Sequence, residues 1–360
     1  MRRAWGERMS DVLEWLENPR REPVASATGD GDATAFHRAL PGYEPTPLID
    51  APELACEWEV GSVRLKFERQ RFGLPAFKFL GASWAARRLL GEPPYEPGQT
   101  LVTATDGNHG RAVARVARLN GLAATIVVPE GTVAARIAAI EGEGAEVLVV
   151  GGGYDAAVRR SAELAGAARH LVSDTSWPGY ERVPGWVIEG YATIFAELDR
   201  QLEGAPPDLA VIPIGVGALA AAAARHLAGS SRLLGVEPTD AACVLESVRA
   251  GEPVELDGPQ DSLMAGLNCG TPSLVAWPDL SAGFDVLCAI GDELAVGGMR
   301  RLAELGVEAG ECSGGCAGAA GAVLADPAAR AALGVSGAST VCVLLTEAVT
   351  DPDAYARLVG

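Results

Sequence analysis

The sequence predicts an α/β protein of two open, mainly parallel lobes with a cleft between them, and three observations carry that expectation. At 360 residues the chain exceeds the usual size of one domain. From position 100 onward, short β-branched runs alternate with alanine-rich helical runs, the pattern of strand–helix–strand units around parallel sheets. The 44 glycines, with 48% hydrophobic and only 6% aromatic residues, suit close-packed helices joined to strands by glycine-rich turns.

Taken in order, residues 1–42 read as an N-terminal segment, with a short helix over 10–17 and a Gly/Asp-rich connection over 27–33. A helix is expected over 82–90. Runs at 101–104, 124–128, 146–150 and 170–173 read as strands of a compact lobe spanning 82–176, separated by helices over 111–120, 133–141 and 154–165. Asn120 and Gly121 supply a helix stop between the first two. Runs at 209–214, 232–237, 286–290 and 340–345 read as strands of a larger lobe, built from 43–81 and 177–360. A cofactor and a small substrate are expected in the cleft.

Composition excludes several functions. A formal charge of −18 repels a phosphate backbone, and no Lys/Arg-rich run follows the first eight residues, so nucleic acid is not an expected partner. No apolar run reaches membrane-spanning length, and no hydrophobic stretch follows the early arginines. Seven scattered cysteines do not resemble a disulfide framework and fit a reducing cytoplasm. Cys312 and Cys316 lack a second pair, and His37, His109, His170 and His226 are dispersed, so no metal is expected. Those two cysteines read as small buried residues rather than nucleophiles.

Three segments carry chemistry. In 77–83 (FKFLGAS), Lys78 sits in an apolar stretch at the start of a helix. Desolvation there favours the neutral amine, which can attack a carbonyl and later act as a base; the plain alternative is a lysine snorkelling over apolar surface. In 103–110 (TATDGNHG), a loop between strand and helix offers backbone N–H groups as an anion site for an amino acid's carboxylate, with Thr105, Asp106, Gly107 and His109 toward the substrate. The plain alternative there is an Asn/Gly turn with Asp106 as a helix cap. In 214–220 (IGVGALA), small residues between a strand and an alanine-rich helix let amides approach a phosphate, although a dinucleotide fold could use the same G-x-G-A. A side chain at Gly217 is expected to intrude on that phosphate.

Together and in this order, the three segments resemble the fold type II pyridoxal-phosphate enzymes, over most of 43–358. A narrower resemblance, to the diaminopropionate ammonia-lyases, rests on 71–78 (RFGLPAFK), 104–111 (ATDGNHGR), 173–180 (SDTSWPGY), 264–270 (MAGLNCG) and 346–351 (TEAVTD). Asp106 stands where many dehydratases have serine.

The resemblance implies that Lys78 holds pyridoxal 5′-phosphate covalently and that Asn108 contacts its ring oxygen. It implies that Gly215, Val216, Gly217, Ala218 and Leu219 cradle its phosphate, with Thr346 at its ring nitrogen. Asp106 and Asp174 are then the acids of the cleft, and a homodimer is expected. The implied reaction is α,β-elimination from D- or L-2,3-diaminopropionate to pyruvate and ammonia, with Lys78 and Asp106 as bases on opposite faces and Asp174 binding the second ammonium. One departure is visible: the chain reads ECSGGC over 311–316 where the ammonia-lyases have Glu-Ser-Gly-Ala, and Asn268 and Thr271 also differ. Two other functions remain open: a β-replacement synthase or lyase for another β-substituted amino acid, and a non-catalytic amino-acid-binding protein of the same fold.

Overall fold

The computed structural model describes residues 13–24, 31–105, 107–227 and 229–360. Two sheets organise them. The larger has seven strands in the order β1-β10-β9-β8-β11-β3-β2. Along the chain these are β1 (Leu13–Glu17), β2 (Leu48–Asp50), β3 (Ser62–Phe67), β8 (Leu209–Pro213), β9 (Arg232–Pro238), β10 (Val286–Ile290) and β11 (Thr340–Leu345). The central strands run parallel, and the two edge strands β1 and β2 pair antiparallel with β10 and β3. The smaller sheet is wholly parallel, in the order β6-β5-β4-β7, from β4 (Thr100–Ala104), β5 (Ala123–Pro129), β6 (Glu146–Val150) and β7 (Arg169–Leu171). Strands β8 and β10 are buried along their whole length, as expected of parallel strands covered on both faces.

The N-terminal residues behave differently from their sequence pattern. Within the segment expected as a helix over 10–17, Leu13–Glu17 is an edge strand; residues 10–12 lie outside the described residues. The connection expected over 27–33 ends in a helix, Asp32–Ala39, while 27–30 lie outside the described residues. Residues 13–17 thus join the large sheet, and the helix Asp32–Ala39 buries Ala33, Thr34 and His37. Strands β2 and β3 were also not anticipated, and the strand expected over 170–173 is the shorter β7.

The segment leading to Lys78 is anchored by a buried ion cluster. Arg71 reaches both oxygens of Glu68, at 2.8 and 3.0 Å, and both oxygens of Glu197, at 2.6 and 2.8 Å. Lys66 in β3 donates to Glu197 at 2.8 Å, to the Thr46 carbonyl and to Gln201. Two cations and two anions balance, and the remaining lone pairs are used by Thr46 and Tyr43, which makes the burial tolerable. Farther along, the helix Phe79–Leu90 packs closely on the helix Arg182–Gln201. A Cβ on Gly190 would lie 2.5 Å from the Leu80 carbonyl oxygen, so only glycine permits this approach.

Burial alone would raise the Glu197 carboxyl, but the Arg71 hydrogen bonds and the Arg71 and Lys66 charges outweigh it and hold the value at about 2. Removing Glu197 leaves two buried cations underneutralised, so Glu197→Ala should cost roughly 3–5 kcal/mol in denaturant unfolding. Because the folded value lies below the ordinary 4.5, Glu197's contribution is complete above pH 4.5 and disappears as pH falls through about 2. The difference in stability between wild type and Glu197→Gln should therefore shrink over that interval. A difference independent of pH would contradict the assignment.

Candidate active site

In each sheet the parallel strands reverse their order once, and both reversals face one cavity. In the small sheet β4 lies between β5 and β7; in the large sheet β8 lies between β9 and β11. Crevices form at such points because the loops leaving adjacent strands diverge. The loops after β4 and β7 bring Thr105, Asn108, His109 and Asp174 to the cavity; those after β8 and β11 bring Gly215 to Ala220, Thr346 and Glu347.

Lys78 enters from the loop after β3. That loop is tied to the loop after β11, with Ala348 N–H donating to the Pro75 carbonyl at 2.8 Å. Lys78 is the N-cap of the helix Phe79–Leu90 and lines the cavity, with Phe77 packed edge-on against Tyr191. Its Nζ donates to Asp174 Oδ2 at 2.7 Å. The sequence contains only one other lysine, Lys66, which is fully buried in the ion cluster.

Asp174 is itself buried beside His109. His109 Nε2 lies 2.8 Å from the Val172 carbonyl, which can only accept, so Nε2 carries the proton. Nδ1 then faces Asp174 Oδ2 at 3.8 Å, without a hydrogen-bond partner among the described residues. Burial holds the imidazole below its usual value and Lys78 adds to this, against the pull of Asp174. Burial also opposes charge on Asp174, but the charge of His109 when it is protonated, and the charge and hydrogen bond of Lys78, outweigh it and hold the carboxyl well below the usual range. The result is an ionised acid inside the cavity.

Across the cavity, Asn108 Nδ2 donates to Glu347 Oε2 at 2.5 Å. Thr346 is buried at the end of β11. The loop after β8 opens the helix Ala218–Leu227, whose first-turn N–H groups have no intrahelical acceptors. A Cβ on Gly215 would meet the Gly266 carbonyl oxygen at 3.1 Å and Cys269 Sγ at 3.2 Å, so a side chain there would push this wall back by a few tenths of an ångström. An amine, an amide donor, a hydroxyl and a glycine-lined amide cradle are the groups pyridoxal phosphate requires, and they face one space. The site fits that cofactor.

Most expected site residues converge there, with qualifications. Asp106 lies outside the described residues. Gly107 is not on the cavity wall: the Arg136 side chain stands over it, and its N–H donates to Thr105 Oγ1 at 2.9 Å, so the threonine hydroxyl holds the loop. The expected consequence of enlarging Gly217 changes, because a Cβ there would lie 2.3 Å from Leu280 Cδ1 and φ is +96°. Any side chain at Gly217 strikes the core rather than a phosphate. Cys316 is buried, as is Cys312; burial and then Glu347 push the Cys312 thiol well above its ordinary value, which favours the neutral thiol. Cys312 and Asn268, where the sequence departs from the ammonia-lyase pattern, also line the cavity, as does Cys269. Glu347, Tyr154 and Phe77 line it too and were not singled out. Glu347 was accessible as the charged neighbour of Thr346; Tyr154, at the start of a distant helix, left no local signal.

A family model described as pyridoxal-phosphate dependent enzyme matches residues 39–347, and the chain belongs to that family. Within it the chain is of fold type II and similar to the diaminopropionate ammonia-lyases, which are carbon–nitrogen lyases. It is 34% identical over 310 residues to diaminopropionate ammonia-lyase of Escherichia coli (strain K12), covering 79% of this chain and 77% of the relative. The crystal structure of the Escherichia coli enzyme in complex with an aminoacrylate-PLP azomethine reaction intermediate superposes with a TM-score of 0.89, at 31% identity over 96% of each chain. The same enzyme in complex with D-serine superposes with a TM-score of 0.88, at 30% identity and 96% coverage of each chain.

The two loop glycines should separate experimentally. Gly217→Ala should lower the melting temperature of the cofactor-free protein, since it combines a clash with Leu280 and an unfavourable φ. Gly215→Ala should leave melting closer to wild type and weaken pyridoxal phosphate binding in an absorbance titration, because it displaces the cavity wall at 266–269. Unchanged melting in Gly217→Ala would contradict the packing described.

Proposed function

We propose that the chain eliminates ammonia from 2,3-diaminopropionate, of D or L configuration, leaving pyruvate and ammonia after hydrolysis of the released product. One observation carries the reading beyond family likeness: the buried Asp174 carboxylate is neutralised by Lys78 at 2.7 Å. To take a proton Lys78 must be a neutral amine, and the buried Asp174 carboxylate then requires another cation. Diaminopropionate carries a second ammonium; serine and threonine carry a hydroxyl there.

When bound, pyridoxal phosphate supplies the electron sink that makes loss of a Cα proton and a β-substituent feasible. In the proposed roles, Lys78 would hold the cofactor and, as the free amine, would take the Cα proton of the L isomer. Asn108 donates to the ring oxygen, Gly215 to Leu219 cradle the phosphate, and Thr346 meets the ring nitrogen with a neutral hydroxyl. A hydroxyl does not hold a proton on that nitrogen as a carboxylate would, which favours prompt elimination over transamination. Asp174 orients the β-ammonium, with His109 beside it. The loop bearing Thr105 and Gly107 receives the substrate carboxylate. Asp106 keeps its proposed role as base for the D isomer on sequence grounds. A homodimer in the cytoplasm is the proposed setting; the seven unbridged cysteines support a reducing compartment, and among the described residues no helix is long and apolar enough to cross a membrane.

Purified cofactor-loaded protein should form pyruvate from diaminopropionate in a coupled assay more efficiently than it forms pyruvate from serine or 2-oxobutyrate from threonine. Asp174→Asn should depress kcat/KM for diaminopropionate roughly tenfold or more beyond its effect on serine, the difference expected for one charge-assisted hydrogen bond. A new C–S or C–N product in place of pyruvate would establish β-replacement instead. Asp106→Asn should slow the D isomer more than the L isomer; equal effects, or none, would remove the two-base scheme alone.

A further inference from the structure

We infer that Glu347 is a positioning residue that fixes the side-chain amide of Asn108, so that the amide donates to the cofactor's ring oxygen. The inference rests on the cofactor reading above and concerns a residue with no role in it. Glu347 Oε2 receives Asn108 Nδ2 at 2.5 Å. An ionised carboxylate only accepts, so the amide must present its NH2 end, and its Oδ1 is turned away. An NH2 group has two protons. One is spent on Glu347, and the other remains for an acceptor in the cavity that Asn108 lines. An amide free to rotate by half a turn would present its oxygen to the ring oxygen about as readily, replacing attraction by repulsion.

Glu347 is itself held from the far side. Its Oε1 receives the Cys312 N–H at 3.3 Å, its carbonyl accepts from Ser313 Oγ at 2.9 Å and from the Gly310 N–H at 3.1 Å, and its N–H donates to Ser313 Oγ at 3.0 Å. All three partners belong to the beginning of the helix Glu311–Ala325, where the helix dipole favours an anion. The chain of contacts runs from that helix through Glu347 to Asn108. It also crosses the cleft, since Asn108 follows β4 of the small sheet and Glu347 follows β11 of the large one. The amide therefore has its donor orientation when the two sheets are apposed as they are here.

The test is titration of cofactor-free protein with pyridoxal phosphate, followed by absorbance, for wild type, Glu347→Ala, Glu347→Gln, Asn108→Ala and the double variant Asn108→Ala/Glu347→Ala. Glu347→Ala and Asn108→Ala should each weaken binding by about tenfold, the scale of a lost charge-assisted hydrogen bond. The double variant should be no weaker than Asn108→Ala alone, because Glu347 acts through that amide. Glu347→Gln, which keeps the size but can offer either end of its own amide, should fall between and shift the band of the bound cofactor; it decides the matter if Glu347→Ala fails to fold. Losses that multiply in the double variant, or Glu347 variants that bind like wild type while Asn108→Ala does not, would overturn this inference and leave the cofactor reading standing. Wild type that takes up no pyridoxal phosphate would overturn both.

Discussion

The hydrogen-bonded ion pair between Lys78 and Asp174 is the constraint around which the molecule is arranged. Its two members come from different sheets: Lys78 from the loop after β3, Asp174 from the loop after β7. Neither charge is tolerable alone in a mostly buried position, since desolvation would neutralise each. Together they persist, and the cleft has a fixed anion and a fixed amine on the same side. An amine so placed is both a cation that Asp174 stabilises and a group that can exchange that role for covalent work.

Much of the surrounding structure keeps that pair in register. The cluster of Lys66, Glu68, Arg71 and Glu197 pins the segment before Lys78 to β3 and to the helix Arg182–Gln201. Gly190 lets that helix lie against the turn that follows Lys78. On the opposite side, Tyr180 Oη donates to the Leu171 carbonyl and accepts the Ser173 N–H, and Ser176 meets Ser273, whose N–H holds the Val216 carbonyl at 2.8 Å. The Asp174 segment is therefore bonded to the loop proposed to carry the phosphate. Position is transmitted by hydrogen bonds between rigid elements, the usual requirement for a preorganised site.

Legibility in the sequence followed the range of the interactions. The parallel strands β4, β5, β6, β8, β9, β10 and β11 were visible because each is an apolar run bounded by helix patterns, a local property. Lys78, Asn108 and the 215–219 loop were visible because their chemistry is unusual for their immediate surroundings. Leu13–Glu17 carries two glutamates and three apolar residues over five positions, which fit either period; pairing with β10, about 270 residues away, decides for strand. In β3 the charge on Lys66 suggests exposure, yet its partner Glu197 lies 131 residues along the chain. Gly217 was legible as a glycine that matters, but not why, since Leu280 occupies the space its side chain would need. Glu347 escaped for a related reason: its significance is the contact with Asn108, 239 residues away.

The account depends most on Lys78 being the residue that holds the cofactor. With two lysines in the chain, one of them enclosed by Glu197, Thr46 and Gln201, the assignment can be tested directly. Protein loaded with pyridoxal phosphate would be reduced with borohydride, digested and analysed by mass spectrometry for the pyridoxyl-modified peptide. The structure predicts the modification on the peptide containing Lys78 and none on Lys66. Modification of Lys66, or a bound cofactor with no reducible linkage to either lysine, would contradict it.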